Sequence, residues 1–384
     1  MEDGGSLHLD MVFQILTSCS LQTLAKCRTL SRECNSMTSD TPFMNLLLQR
    51  TGVVSGFFVQ TIHFNSCYST FVSRHTSNHN PSLDFLPVHT KIAASGGLVL
   101  LLGINDKGNH KIPKYYVCKP CTKQWQRIPN PKTRFFTKNI GMIVLRSNPL
   151  RYKIVRFSEH KFPSLFFKNK EAYYFLRCEV FDSDTWAWKE LEDVKLQYGE
   201  FLAFRPPVPA RGSLHWVTTG NNVLGFDPNN ETHTIFSLPE AIIEDSDSQE
   251  SEELVPYEGK LGFIRNRKDS CMELWVMERK NCEVAWNKRP SINLEDLSTK
   301  ESFWSTRSFY NADTTLLEGF YKMIFYNIKD GKIDSVSMNR ILGQVEIFPF
   351  LSDFEVVDLK TRKESGQAKS HVQGPRPGVL PARN

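Results

Sequence analysis

Cys118 and Cys121 are the residues whose type and spacing most directly suggest chemistry, as a Cys-x-x-Cys pair. Two thiols at that spacing serve a structural zinc ion or dithiol exchange. A zinc shell needs four ligands, and no second Cys-x-x-Cys follows. Dithiol exchange wants a βαβ setting, which this stretch lacks, so Cys118 reads as a small buried thiol at a strand end. Ser213, His215 and scattered aspartates are the ingredients of a hydrolase triad. However, no Gly-x-Ser-x-Gly elbow is present, and His215 alternates with Leu214 and Trp216 as a strand residue does. No Gly-rich phosphate loop, His-Glu-x-x-His or EF-hand loop occurs. The seven tryptophans read as core residues rather than a ligand cage. The expectation is a protein without catalytic, metal or cofactor site.

The elements that surround these residues are those of an ordinary globular chain. Of 384 residues, 40% are hydrophobic and 23% charged, and 47 basic against 42 acidic residues leave a net charge of +5. No basic stripe tracks a phosphate backbone, so nucleic acid is not an expected partner. No apolar run approaches the roughly 18 residues that span a bilayer, and no membrane role is expected. Met1 to Ser6 lacks the basic and apolar regions of a signal peptide. The nine cysteines are therefore expected as reduced thiols in cytoplasm or nucleus.

Residues 7–50 have a different texture. Val12, Ile15, Leu16 and Cys19 follow helical spacing and predict one apolar face. Leu21, Leu24 and Cys27 begin a second stripe, and Ser31 is placed to cap a third helix holding Cys34 and Met37. A fourth helix is expected behind Thr41 and Pro42, burying Phe43, Leu46 and Leu47, with Arg50 in its last turn and Gly52 as its stop. So small a unit cannot bury all these faces alone, and some of the apolar surface needs a partner.

The order of these residues resembles the F-box, which docks onto the Skp-family adaptor of cullin–RING ubiquitin ligases. Leu7, Asp10, Met11, Val12, Gln14, Ile15 and Leu16, then Leu21 and Leu24, then Arg28, Leu30, Ser31 and Arg32 match the family pattern. His8 and Ser20 replace its prolines, Cys19 a leucine and Cys34 a tryptophan. The resemblance implies an adaptor-binding set of Leu7, Leu9, Asp10, Val12, Ile15, Leu16, Leu21, Leu24, Arg28 and Leu30. The alternative is a helical cap packed on its own domain.

After Gly52, short aromatic and β-branched runs separated by Asn, Asp, Gly and Pro indicate an all-β region. A weak repeat runs through it: an apolar pair, a polar turn, then an aromatic or aliphatic strand. Its anchors are Cys118, Phe181, Phe226, Met277 and Tyr326, at intervals of 63, 45, 51 and 49 residues. A period near 50 suits a kelch-type blade and leaves room for about six blades. Several units follow a strand that opens with glycine, as at Gly96-Gly97, Gly212 and Gly259.

Tyr116 to Trp125 and Gly212 to Trp216, in this order behind the N-terminal motif, resemble plant F-box proteins of the kelch and F-box-associated type. The implied fold is an α+β multidomain chain. It has a helical F-box at 1–52, an all-β propeller-like domain of about six blades at 53–360, and a tail at 361–384 read as disordered. The implied role is a non-catalytic substrate adaptor of an SCF-type (Skp–cullin–F-box) ubiquitin ligase. Its partners would be a Skp-family protein, through it a cullin–RING ligase, and an unidentified protein substrate. The competing reading is a propeller-type ligand-binding protein or enzyme with a helical cap.

Two segments stand outside the repeat. Residues 244–253 hold no apolar side chain and read as a solvated loop whose serines suit an acid-directed kinase. The long 63-residue interval carries an insertion near 158–170, where Phe162, Phe166 and Phe167 beside Lys161, Lys168 and Lys170 offer a substrate-binding patch. Against that stands the reading of these phenylalanines as ordinary strand residues.

Overall fold

The computed structural model describes residues 9–40, 42–43, 46–47, 50, 53–63, 66–74, 80–86, 90–103, 114–133, 136–147, 149–159, 166–168, 171–243, 251–280, 283–338, 344–353 and 357–359. Six antiparallel sheets succeed one another along the chain. Blade 2 is built from Thr90–Ser95, Val99–Gly103, Lys114–Lys119 and Gln124–Arg127. Blade 3 spans Thr137–Ser147 to Ala187–Glu190, blade 4 Val208–Ala210 to Thr232–Ser237, blade 5 Ser251–Tyr257 to Glu283–Lys288, and blade 6 Trp304–Asn311 to Ile333–Ser337. Blade 1 closes the ring: Val54–His63 pairs with Gln344–Ser352, from Val54↔Ser352 to Ile62↔Gln344. This joins the two ends of the β region by backbone hydrogen bonds, with Gln344–Ser352 as the inner strand of the blade. The protein is a six-bladed β-propeller.

Each blade buries both faces against its neighbours, so its inner strands are continuous apolar runs rather than alternating ones. Val99, Leu100 and Leu101 are all fully buried. Six apolar cores result, one between each pair of adjacent blades. The five repeat anchors all fall on the third strand of a blade. Five residues beyond four of them the chain turns left-handed, at Lys123, Trp186, Glu231 and Gly331, with φ between 54° and 66°. Asp182, Asp227 and Asn327 open three of these turns, each accepting a hydrogen bond from the backbone two residues on, at 2.8–2.9 Å. Gly212 and Gly259 take φ +74° and +68° behind Arg211 and Glu258, also left-handed, as a type I′ hairpin between first and second strands requires. The 63-residue interval arises in blade 3, whose first two strands run to 11 and 10 residues. Phe166–Lys168 then folds back onto Glu171–Tyr173.

The helices α1 (Leu9–Leu16), α2 (Leu21–Leu30) and α3 (Arg32–Ser39) precede the ring. Ser20 and Ser31 cap α2 and α3, accepting from the backbone of Thr23 and Cys34 at 3.3 Å. Helical backbone recurs at 42–43, 46–47 and 50, where Phe43 and Leu47 are fully buried. Thr41 and Gly52, expected as caps there, lie outside the described residues, as do 361–384.

One expectation is corrected within the ring. The acidic run 244–253 is not wholly a loop, because Ser251, Glu252 and Glu253 form the start of the inner strand of blade 5. Their register carries Leu254 and Val255 into the interblade cores. Residues 244–250 lie outside the described residues.

Candidate functional site

Turns joining strands 1–2 and 3–4 of a blade emerge on one face of the ring. Turns joining strands 2–3, and the links between blades, emerge on the other. The helical module sits on the first face. Asn35 donates to the Glu258 carbonyl at 3.0 Å in the 1–2 turn of blade 5. Burial and the nearby Asp313 push the Asp40 carboxyl up, while Lys329 pulls it down; both lie in turns of blade 6. Leu351 of the closing strand joins the module's own core.

That core consists of Leu16, Leu24, Phe43 and Leu47, with Phe13 and Phe43 edge-to-face at 5.4 Å. Arg28 bridges α2 to the end of α3, donating from Nε to Thr38 Oγ1 and from Nη2 to Thr38 O, both at 2.8 Å. Arg50 ties the fourth helical stretch to α1 through Thr17 Oγ1 at 2.6 Å and Gln14 Oε1 at 2.8 Å. The single apolar face expected for Val12, Ile15, Leu16 and Cys19 is therefore divided. Leu16 is 6% exposed and Leu24 1%, whereas Leu9, Met11, Ile15 and Leu30 are 67%, 57%, 56% and 84% exposed. Ile15 and Leu16, about 100° apart on the helix, fall on either side of the line where the module's core ends. Val12 and Leu21 are half-buried against the core, and Asp10 lies exposed in the first turn of α1. Leu7 and His8 lie outside the described residues.

The opposite face gathers exposed aromatic rings. Phe136, Tyr198, Phe201, Phe204, Phe303, Phe320 and Tyr321 all lie in its links and turns. Residues 203–207 cross the channel mouth there. Asn139 holds the Ala203 and Arg205 carbonyls at 3.2 and 3.1 Å, and Gln344 holds that of Phe204 at 3.3 Å. Beneath them is a cavity of about 410 Å³. Of the insertion near 158–170, the described strand Phe166–Lys168 lies in the 2–3 connection of blade 3, on this face. Phe166 and Phe167 are strand residues within it; Phe162 lies outside the described residues.

The chemically suggestive residues lie elsewhere, within blades. Cys118 is fully buried and its thiol is pushed up by burial; the Cys121 thiol is pushed up to about 11 for the same reason. Burial pushes His215 down to about 4, and its Nδ1 lies 3.2 Å from the Val208 carbonyl. Among the described residues, no group of three or more His, Cys, Asp or Glu side chains could hold a metal ion. No described helix is long and apolar enough to cross a membrane.

The F-box associated beta propeller domain matches residues 55–351. The chain belongs to that family. Its relatives include F-box protein At5g41720 of Arabidopsis thaliana, 37% identical over 163 residues, covering 40% of this chain and 87% of that protein. F-box protein At5g49610 of the same plant is 25% identical over 304 residues, covering 76% and 80%. The putative F-box/kelch-repeat protein At1g12870 is 25% identical, covering 58% and 55%. The kinship with plant F-box proteins expected from the sequence is borne out. Tyr116–Trp125 builds the third strand, turn and fourth strand of blade 2, and Gly212–Trp216 the first turn and second strand of blade 4. The channel-mouth residues Arg205, Glu253, Arg307 and Glu318 carried no sequence signal, because a link and two different blades contribute them.

Proposed function

We propose that the chain is a non-catalytic substrate-recognition adaptor of an SCF-type ubiquitin ligase. In this reading α1 and α2 are part of an F-box that docks a Skp-family protein, and through it a cullin–RING ligase. The propeller presents a target protein. Proximity of a target lysine to activated ubiquitin is then the whole contribution, and no acid, base or nucleophile is required of this chain. The protein works where its thiols stay reduced, in cytoplasm or nucleus.

The observation that supports this reading is the apolar surface of Leu9, Met11, Ile15 and Leu30, which remains exposed after the module has filled its own core. A helical cap serving only its own propeller has no need of that surface. Ile15→Asp should abolish co-purification with a co-expressed Skp-family adaptor while leaving thermal unfolding unchanged. Leu16→Asp should instead lower the melting temperature, since it buries a charge in the module's core. Retained adaptor binding by a folded Ile15→Asp chain would overturn the assigned surface and favour the helical-cap reading.

A further inference from the structure

The channel mouth opposite the helices has an unbalanced recognition chemistry. Most of its charges already have partners. Arg307 donates from Nη1 to Glu253 Oε2 at 3.0 Å and from Nη2 to the Val345 carbonyl at 2.9 Å. Arg205 is bound to the same Glu253 oxygen. Glu346 accepts from Lys91 at 2.8 Å and Gln60 at 2.9 Å. Glu318 is the exception. Its nearest cation is Arg307 Nε at 3.4 Å, which makes no hydrogen bond, and the Glu318 side chain is 17% exposed. Burial pushes the Glu318 carboxyl up, as befits an under-compensated anion. Beside it in the cavity lining stands Ser308, 3% exposed, whose Oγ has no hydrogen-bond partner. A buried hydroxyl in that state is met by a water or by a ligand group.

Exposed rings lie in the links and turns of the same face. Phe320 and Tyr321 follow Glu318 and Gly319 directly and meet edge-to-face at 4.9 Å. Phe303 precedes Trp304, the ladder partner of Gly319. Phe204 lines the same cavity from the crossing segment. A carboxylate in a cavity lined by Phe204, on a face that bears further exposed rings, attracts a cation by charge, and the rings attract it by their quadrupole. An anion would meet Glu318 and two arginines already engaged by Glu253.

We propose that this mouth receives a basic side chain, arginine or lysine, from an exposed segment of the recruited protein. The identity of the occupant as a ubiquitination target rests on the adaptor reading above; the cation preference does not. The probe is a set of fluorescein-labelled nonamer peptide pools, degenerate except for one fixed central residue. Binding to the full-length chain is read by fluorescence polarisation. Arg- and Lys-centred pools should bind, Glu- and Ala-centred pools should not, and added salt should weaken binding. Glu318→Gln should weaken the Arg-centred pool at least tenfold, and a Phe320→Ala/Tyr321→Ala chain should weaken it several-fold, both with wild-type melting temperatures. Equal binding of the Glu-centred pool, or wild-type affinity in a folded Glu318→Gln chain, would overturn the site. Adaptor binding is measured on the same preparations. A chain that binds the adaptor but discriminates among no pools refutes the basic-side-chain site alone. One that selects the Arg-centred pool without binding the adaptor refutes the adaptor reading alone.

Discussion

Beyond the closing strand, Val357–Leu359 runs back across blade 2 and into the ring, and this short strap should carry measurable stability. Gln124, on the outer strand of blade 2, pairs with both backbone groups of Val357: Nε2 donates to its carbonyl at 2.8 Å and Oε1 accepts from its amide at 3.2 Å. Leu359 is buried in the core between blades 2 and 3 beside Tyr115, Tyr152 and Phe181, and its carbonyl accepts from the Tyr152 hydroxyl at 3.4 Å. Leu359→Ala removes buried surface and leaves a cavity, a change that costs about 2–4 kcal/mol in a packed core. At about 2–4 °C per kcal/mol for a domain of this size, the melting temperature should fall by roughly 4–16 °C. Differential scanning fluorimetry reads the shift directly. A stop codon after Asp353 should cost at least as much, whereas a stop after Lys360 should cost less than about 2 °C. A Leu359→Ala protein that melts with wild type would show that the strap does not hold the ring.

Two further outcomes follow from buried groups. His215 is held neutral with its pKa pushed down to about 4. Between pH 6.5 and 4 the unfolded chain therefore takes up a proton that the folded chain refuses, and stability falls as pH falls, by up to about 3 kcal/mol. Urea unfolding at pH 7.5, 6 and 5 should show that slope in wild type and a shallower one in His215→Gln; identical slopes would contradict it. Cys118 and Cys121 are both held as thiols by burial. Cys118, fully buried, should resist iodoacetamide at pH 8 in the folded protein, and the half-buried Cys121 should react more slowly than a free thiol; rapid labelling of Cys118 in a mass-spectrometric time course would refute its burial.

The ring was legible because its local turn chemistry repeats. Asp182, Asp227 and Asn327 stand at one position of the unit, and the third-strand anchors keep a period near 50. What escaped depends on contacts distant in sequence. The pairing of Val54–His63 with Gln344–Ser352 spans most of the chain, and no local pattern announces it. Helical spacing announced α1 but could not divide it: in so short a helix apolar residues lie on two sides, and only the positions of Phe43 and Leu47 decide that Leu16 faces inward and Ile15 outward. Glu253 looked like the end of an acidic loop because its partners, Arg205 and Arg307, sit in other parts of the ring. Of the substrate patch sought at Phe162, Phe166 and Phe167, only the backbone of Phe166 and Phe167 is described, as a strand in a connection on the face where the exposed rings gather. Those rings come from links and turns of several blades, a pattern that sequence spacing does not reveal.

The central claim is that the chain is a bridge with its adaptor surface on the helices and the far face of the ring left free. Hydrogen–deuterium exchange of the full-length chain, alone and with a Skp-family adaptor, tests this most directly. The account predicts a stable complex in which added protection is confined to residues 9–30 and the adjoining helical stretch, with the links bearing Phe204, Phe303 and Phe320 unchanged. Failure to form a complex, or protection falling on those links instead of the helices, would contradict it.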